Sequence, residues 1–450
     1  MKRNILYLFT FVYVLLMSAC SNSDYLNAIP SNSVALVSLD LGKKTGFDNQ
    51  TILKAFLHVV NANTAGIDVS SPLYLFESAD GNLGLCAKVN SVDDLQKTLE
   101  GLSSKGICQA IKEHKDFHFT FLQNAWVVGF SDDALLVMGP TTATNYATMR
   151  NQMVKYLRQS EEKSILSSRL YAHLDSIEGA MKMVARVDAL PEKLAMPFAL
   201  GAPKGTEPSQ IFVSAQMNVE GNCLVIDGKT FSFKPSIDKA IKEAMQTYRL
   251  VDGKHVFTMA KHDVYGLFVN VNGNEFIRLL NDNNGFQALL AGVNTAIDMD
   301  NIIKSVDGDM CVIMSNMDNN THLKMCAQLA HSKWLDDVSY WKQSCPRGAT
   351  IRDWGNNAYC YSDGKTSYYF GVSPDLQFYS GSSENDARMA LKPSSNPAML
   401  SLIHLMDHQK LVMVMNLQAL DNNKEEGGGF SQLLKPLFGE VHSVVYRLKE

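Results

Sequence analysis

Two distant stretches of this chain carry one pattern. Ala125-Trp126-Val127-Val128-Gly129-Phe130-Ser131-Asp132-Asp133 and Ser367-Tyr368-Tyr369-Phe370-Gly371-Val372-Ser373-Pro374-Asp375 are each an aromatic or β-branched run that ends in Gly-x-Ser-x-Asp. Each then enters a second apolar run closed by glycine, Leu135 to Gly139 and Gln377 to Gly381, at one constant offset. Strand-forming residues on either side of a bend whose Ser and Asp can bond their own backbone predict a β-hairpin. The same hairpin made twice commits the chain to two related bodies, so the flanking segments should match as well.

They do. Val34 to Leu41 places Ala35, Val37, Leu39 and Leu41 on one face of a strand, and Val264 to Val271 does likewise with Tyr265, Leu267, Val269 and Val271. Leu73 to Phe76 and Met310 to Ile313 begin a second strand in each copy; Leu83 to Val89 and Leu323 to Leu329 begin a third, carrying Cys86 and Cys326. A helix follows in each, Val92 to Leu102 and Lys333 to Lys342, and after each helix comes a cysteine, Cys108 and Cys345. Thr141 to Leu174 reads as mainly helical, with strands at Ala180 to Val187, Ile211 to Val219 and Cys223 to Phe233, then a helix from Ser236 to Tyr248 opened by Pro235 with Ser236 as its cap. The second copy ends with a helix over Pro397 to His408, a strand over Lys410 to Leu417, a glycine-rich loop over Asp421 to Gly429, a helix over Phe430 to Leu437 and a last strand over His442 to Leu448. Strands and helices without regular β-α alternation predict an α+β fold with largely antiparallel sheets and packed helices, internally duplicated. The repeats are placed at 33–250 and 251–450, divided at the polar turn Val251-Asp252-Gly253-Lys254.

The N-terminus supplies an address. Lys2 and Arg3 precede an apolar run from Ile5 to Met17, shorter than a membrane span, and Ser18-Ala19 put small residues before Cys20. Residues 1–19 are therefore read as a lipoprotein signal peptide, and 20–32 as a lipid anchor and tether, with Cys20 acylated and held by the lipid bilayer. Ser21 to Asp24 carries a single acid rather than an acidic run, which favours the periplasmic face of the outer membrane over the cell surface. About 430 residues remain after cleavage, enough for more than one domain. With 46% hydrophobic and 19% charged residues the body is globular, and a net charge of -5 with no basic stripe argues against nucleic acid as a partner.

Of eight cysteines, setting Cys20 aside leaves an odd number for an oxidising compartment. No Cys-x-x-Cys spacing suggests zinc. Matched positions in the two copies make Cys86–Cys108 and Cys326–Cys345 possible disulfides, set against the reading that a small apolar side chain was acceptable at each place twice, while Cys223, Cys311 and Cys360 read as buried thiols. No metal or other cofactor is expected. His404-x-x-x-His408 would share a helix face but has Leu405 where a zincin has glutamate, and no third ligand. Ser160-x-x-Lys163 and Ser236-x-x-Lys239 lack the accompanying motifs of serine enzymes of that type, and Ser131 and Ser373 sit in no nucleophile elbow. Asn281 to Gly285 and Asp318 to Asn320 are turn chemistry rather than calcium loops. The aromatic set Trp354, Tyr359, Tyr361, Tyr368, Tyr369, Phe370, Phe378 and Tyr379 would suit apolar or sugar ligands if exposed on one sheet face, although strand alternation turns part of such a set inward.

Tyr25-Leu26-Asn27-Ala28-Ile29-Pro30, leading into Ser33-Val34-Ala35-Leu36-Val37-Ser38-Leu39-Asp40, resembles the opening of a family of uncharacterised Gram-negative lipoproteins classed as domain of unknown function 4836. The length and duplicated body are similar to that family over most of the mature chain; the resemblance implies no activity, ligand or catalytic residue. The expected function is a non-enzymatic interaction or ligand-binding role in the cell envelope, toward an unknown envelope protein or ligand. The competing expectation is an envelope hydrolase with an unrecognised serine-type site.

Overall fold

A computed structural model of the chain describes residues 23–40, 54, 64–190, 195–283, 296–316, 322–398, 403–406, 408–422 and 441–449. The segment read as a leader, Cys20, the helix read at Phe430 to Leu437 and most of the loop read at Asp421 to Gly429 lie outside them. The chain divides into two compact units, Met1–Val184 and Ala185–Glu450.

The first unit is built on β1 (Ala35–Leu39), β2 (Leu73–Glu77), β3 (Leu83–Lys88), β4 (Lys112–His114), β5 (Phe117–Leu122), β6 (Trp126–Phe130), β7 (Ala134–Gly139) and β8 (Met181–Arg186). Their lateral order is β8-β1-β2-β3-β7-β6-β5-β4, antiparallel from β1 to β4. Helix α1 (Val92–Ser104) starts where Ser91 Oγ accepts the Asp94 N–H, with Asp93 and Asp94 favourably placed in the first turn. Leu95, Leu99 and Leu102, three and four residues apart, form its buried stripe. Helices α2 (Tyr146–Leu157) and α3 (Arg169–Asp175) complete the unit. The segment read as a tether is ordered earlier than expected. Asp24–Ala28 forms a 3-10 turn, Tyr25, Leu26 and Ile29 are buried, and the Tyr25 hydroxyl donates to Pro72 O at 2.8 Å. Large apolar side chains at Tyr25, Leu26 and Ile29 gain more from burial than a free tether would allow them.

The second unit contains β9 (Phe212–Glu220), β10 (Cys223–Phe231), α4 (Pro235–Ala244), β11 (Tyr248–Arg249), β12 (Tyr265–Asn272), α5 (Gly273–Asn281), α6 (Met299–Lys304), β13 (Val306–Met314) and β14 (Leu323–Leu329). It continues with α7 (Val338–Ser344), β15 (Thr350–Gly355), β16 (Ala358–Ser362), β17 (Ser367–Val372), β18 (Gln377–Gly381), α8 (Glu384–Met389), β19 (Leu411–Asn416), α9 (Leu417–Asn422) and β20 (Ser443–Leu448). Strands run β19-β12-β13-β14-β18-β17-β16-β15, all antiparallel. Replace each strand by its counterpart and this is the order of the first unit, β8-β1-β2-β3-β7-β6-β5-β4. The duplication is thus a duplication of topology, and the fold is α+β.

Two details depart from the sequence reading. The strands Phe212–Glu220 and Cys223–Phe231 belong by sequence to the first repeat, yet β10 pairs in parallel with β20, Cys223 opposite Ser443 through Gly228 opposite Leu448. Arg447 closes that edge with a two-point ion pair to Asp227, at 2.6 and 2.7 Å. The compact division therefore falls at Val184/Ala185, whereas the sequence repeat ends near residue 250. The repeated hairpins also differ by one residue. In the first, Phe130 opposes Leu135; in the second, Val372 opposes Phe378. The extra residue is taken up at Leu376, which adopts φ 57, so Leu136 rather than Val137 corresponds to Tyr379.

Central strands are buried on both faces, as in β12, where all but the last residue is buried. The main core of the second unit gathers Ile237 and Ile241 of α4, Phe276, Ile277 and Leu280 of α5, and Trp334, Val338 and Trp341, whose indoles stack at 6.0 Å. Asn272 and Asp298 cap α5 and α6 through Asn274 N and Asn301 N. Helix α8 lies close on β18: a Cβ at Gly381 would sit 2.3 Å from Ala387 N, so only glycine permits the approach.

Candidate functional site

The aromatic set of the second unit divides between the two faces of the β15–β18 sheet. Residues two apart along a strand share a face. Tyr361, Phe370 and Phe378 are buried in the core with Trp334, with Tyr359 and Tyr368 packed against them; Tyr359 and Tyr368 lie 5.6 and 5.7 Å from Phe370. Trp354, Tyr369 and Tyr379 point the other way. Trp354 meets both tyrosines edge to face, at 5.7 and 6.2 Å. Its indole N–H donates to Tyr359 O at 2.8 Å, which fixes the ring.

Two depressions flank this trio. One, of about 350 Å³, is lined by Trp354, Tyr379, Asn356, Arg388 and Lys392 among others; the second, of about 370 Å³, by Arg352, Cys360, Ser362, Ser367 and Tyr369 among others. Trp354 belongs to one and Tyr369 to the other, so their ring contact forms the wall between them. Arg388 lies over the Trp354 ring, its Cζ 4.7 Å from the centroid, and two of its N–H groups reach Glu384 Oε1 at 2.8 and 2.6 Å. A guanidinium stacked on an indole and held by a carboxylate is a positioned cation. Neither lining contains an acidic residue, and together they carry Arg352, Arg388 and Lys392. Planar apolar surface beside fixed donors and positive charge is what a polyhydroxylated anionic ligand requires.

The remaining candidates are dispersed. Among the described residues no group of three or more His, Cys, Asp or Glu is placed to hold a metal ion. His404 lies in a 3-10 turn and His408 has φ 57, so the pair does not share a helix as the spacing suggested. Ser160 precedes a 3-10 turn, Glu161–Lys163, rather than a helix. Ser236 is the second residue of α4, whose cap is Lys234 and not Ser236, and Lys239 pairs with Glu243 at 3.7 Å. Ser131 and Ser373 serve their bends: Ser131 Oγ accepts the Ala134 N–H, and Ser373 Oγ accepts from Gln377 N and donates to Asp375 Oδ1. Asp318 to Asn320 and Asn284-Gly285 lie outside the described residues.

Neither expected disulfide is drawn together. Cys86 Sγ donates to Tyr25 O and Cys108 Sγ to Leu99 O, each at 3.3 Å. Cys326 faces Cys311, not Cys345, because a strand residue lies beside its cross-strand partner before it reaches any helix exit. Cys360, expected to be buried, is partly exposed; Cys223 is buried, and burial with Glu220 nearby pushes its thiol up to about 12.

Two buried polar centres escaped the sequence reading. Asp309 accepts the Asp252 and Lys254 N–H groups and the Asn270 amide, each at 2.9 Å, and so fastens the turn after β11. Asp263 and Lys324 form an ion pair at 2.8 Å with both side chains buried. His255, beside Asp309, is held neutral by burial, which pulls its imidazole down to about 4. Alternating strand patterns gave no sign of any of them.

No curated protein matches the chain. Solved structures that resemble it are crystal forms of TP0453. "Structure of crystal form IV of TP0453" has a TM-score of 0.28 at 8% identity, covering 44% of this chain and 79% of that one. "Structure of crystal form I of TP0453" has a TM-score of 0.21 at 10% identity, covering 74% and 88%. Among the described residues no helix is long and apolar enough to cross a membrane. The family model for DUF4836, a domain of unknown function, matches residues 44–395, most of the duplicated body, and the chain belongs to that family.

Proposed function

We propose that this chain is an exported lipoprotein, acylated on Cys20 and held at the periplasmic face of the outer membrane, whose second unit binds an acidic saccharide without transforming it. The observation that carries the binding reading is the face made by Trp354, Tyr369 and Tyr379, with Arg388 stacked on Trp354 and two depressions side by side. Side-by-side depressions suit a chain of sugar units, since the ring faces supply apolar contact and the three cations meet carboxylate or phosphate groups. The signal pattern ending in Cys20 supports the anchor.

The test uses the full chain with Cys20→Ser, applied to immobilised acidic and neutral envelope polysaccharides. Retention on the acidic matrix, eluted by salt and weakened by Arg388→Gln, supports the reading. Equal retention on both matrices, or none on either, overturns it.

A further inference from the structure

Cys311 on β13 and Cys326 on β14 are direct partners in an antiparallel register, and their sulfurs are 2.9 Å apart. Cα atoms of such partners stand about 4.5 or 5.5 Å apart, inside the range that disulfides span. Closing from thiol contact to bond length needs a movement of about 0.9 Å. Both side chains are buried, among Phe268, Ile313, Val412 and Val414. Among the described residues the other side-chain partner of Cys311 is more distant, Thr258 Oγ1 at 3.8 Å from its Sγ. The first unit places Tyr74 opposite Cys86, so the pairing belongs to the second unit alone.

We propose that Cys311 and Cys326 form a cross-strand disulfide, made during folding by exchange with the disulfide of a thiol–disulfide donor. The Cys311 thiolate attacks one donor sulfur, the donor bond breaks, and a mixed disulfide forms with loss of a donor thiolate. The Cys326 thiolate then attacks the Cys311 sulfur, closing Cys311–Cys326 and releasing the second donor sulfur. Two electrons and the two thiol protons pass to the donor, which becomes a dithiol. The exchange precedes burial: in the folded chain no donor reaches sulfurs enclosed by the core, and burial together with Cys311 holds the Cys326 thiol well above its ordinary range. Once made, the bond staples two neighbouring strands.

Formation in the cell rests on the export reading above, so the experiment has two arms. Chain produced from its full sequence, leader included, in a Gram-negative host, and chain denatured, reduced and refolded with glutathione disulfide, are alkylated in denaturant without reductant and mapped as peptides by mass. The expected result in both arms is one linked peptide joining Cys311 to Cys326, two hydrogens lighter than the free pair, lost in Cys311→Ser and retained in Cys345→Ser. A linked refolded chain beside an unlinked cellular one supports the pair and removes the export reading. Free thiols at both positions in both arms, or Cys326 linked to Cys345, overturn the proposal. The wild-type map decides even where Cys311→Ser fails to fold.

Discussion

Lys324→Met isolates a buried carboxylate. Asp263 is fully buried and Lys324 nearly so; Lys324 Nζ donates to Asp263 Oδ2 at 2.8 Å and to Thr258 O at 3.2 Å. Asp263 also accepts the Ala260 N–H at 2.7 Å and the Ser315 hydroxyl at 2.6 Å, and His262 Nε2 lies 3.7 Å from its Oδ1. Removing one member of such a pair leaves a desolvated charge and costs about 3–5 kcal/mol. Removing both, in Lys324→Met with Asp263→Asn, deletes the charge problem and leaves only lost hydrogen bonds, about 1–2 kcal/mol. The double variant should therefore be more stable than either single one, with a coupling energy of at least about 4 kcal/mol, the two single losses together less that of the double. The assay is thermal unfolding of the soluble Cys20→Ser chain at low and high salt. The single variants should lower the second unit's midpoint by about 10 °C, and salt should not rescue them because the pair is shielded from solvent. Single effects below about 1 kcal/mol, or a double variant equal to the sum of the singles, would refute the reasoning.

Acid should weaken the second unit through His255. Its folded value near 4 lies below the ordinary 6.5, so the unfolded chain takes up the proton first; stability is intact above 6.5 and falls as pH drops from 6.5 to about 4, by about 3 kcal/mol at most. Midpoints measured across that window should fall less steeply in His255→Asn. Gly101 is inside α1 with nothing within 4 Å of a Cβ, so Gly101→Ala should stabilise the first unit by up to about 1 kcal/mol. Gly381→Ala, by contrast, drives a methyl into the α8 backbone and should destabilise the second unit by about 1–3 kcal/mol in denaturant titration. Labelled palmitate should enter the wild-type chain and be absent from Cys20→Ser; equal labelling of both would remove the anchor.

The succession of strands and helices along the chain was partly legible because the two copies check one another. Long-range pairing was not. Nothing in Cys223 to Phe231 says that its neighbour is a strand at the far end of the chain, and this parallel edge moves the compact boundary away from the sequence repeat. The one-residue difference between the hairpins was hidden by matching Ser-x-Asp and terminal glycines, although Leu376 flips the alternation after it. That slip decides that Tyr379 shares a face with Trp354. Cysteine neighbours were hidden for a related reason: equivalence between copies pointed to Cys345, while cross-strand register places Cys311 beside Cys326. Asp263 and Lys324 replace the pair Ser33 and Gly84 of the first copy, where Gly84 leaves room for the Phe76 ring. A buried charge pair in one copy and a glycine–aromatic contact in the other fill equivalent space, which a comparison of residue types does not reveal.

The binding face is tested most directly by calorimetric titration of the soluble chain with acidic oligosaccharides released from the envelope polysaccharide that retains it, wild type against Trp354→Ala. Loss of the ring removes both the wall between the depressions and the seat of Arg388, and affinity should fall at least tenfold, about 1.4 kcal/mol, with the unfolding midpoint of the first unit unchanged. Equal affinity in the two proteins would contradict the assignment of ligand binding to this face.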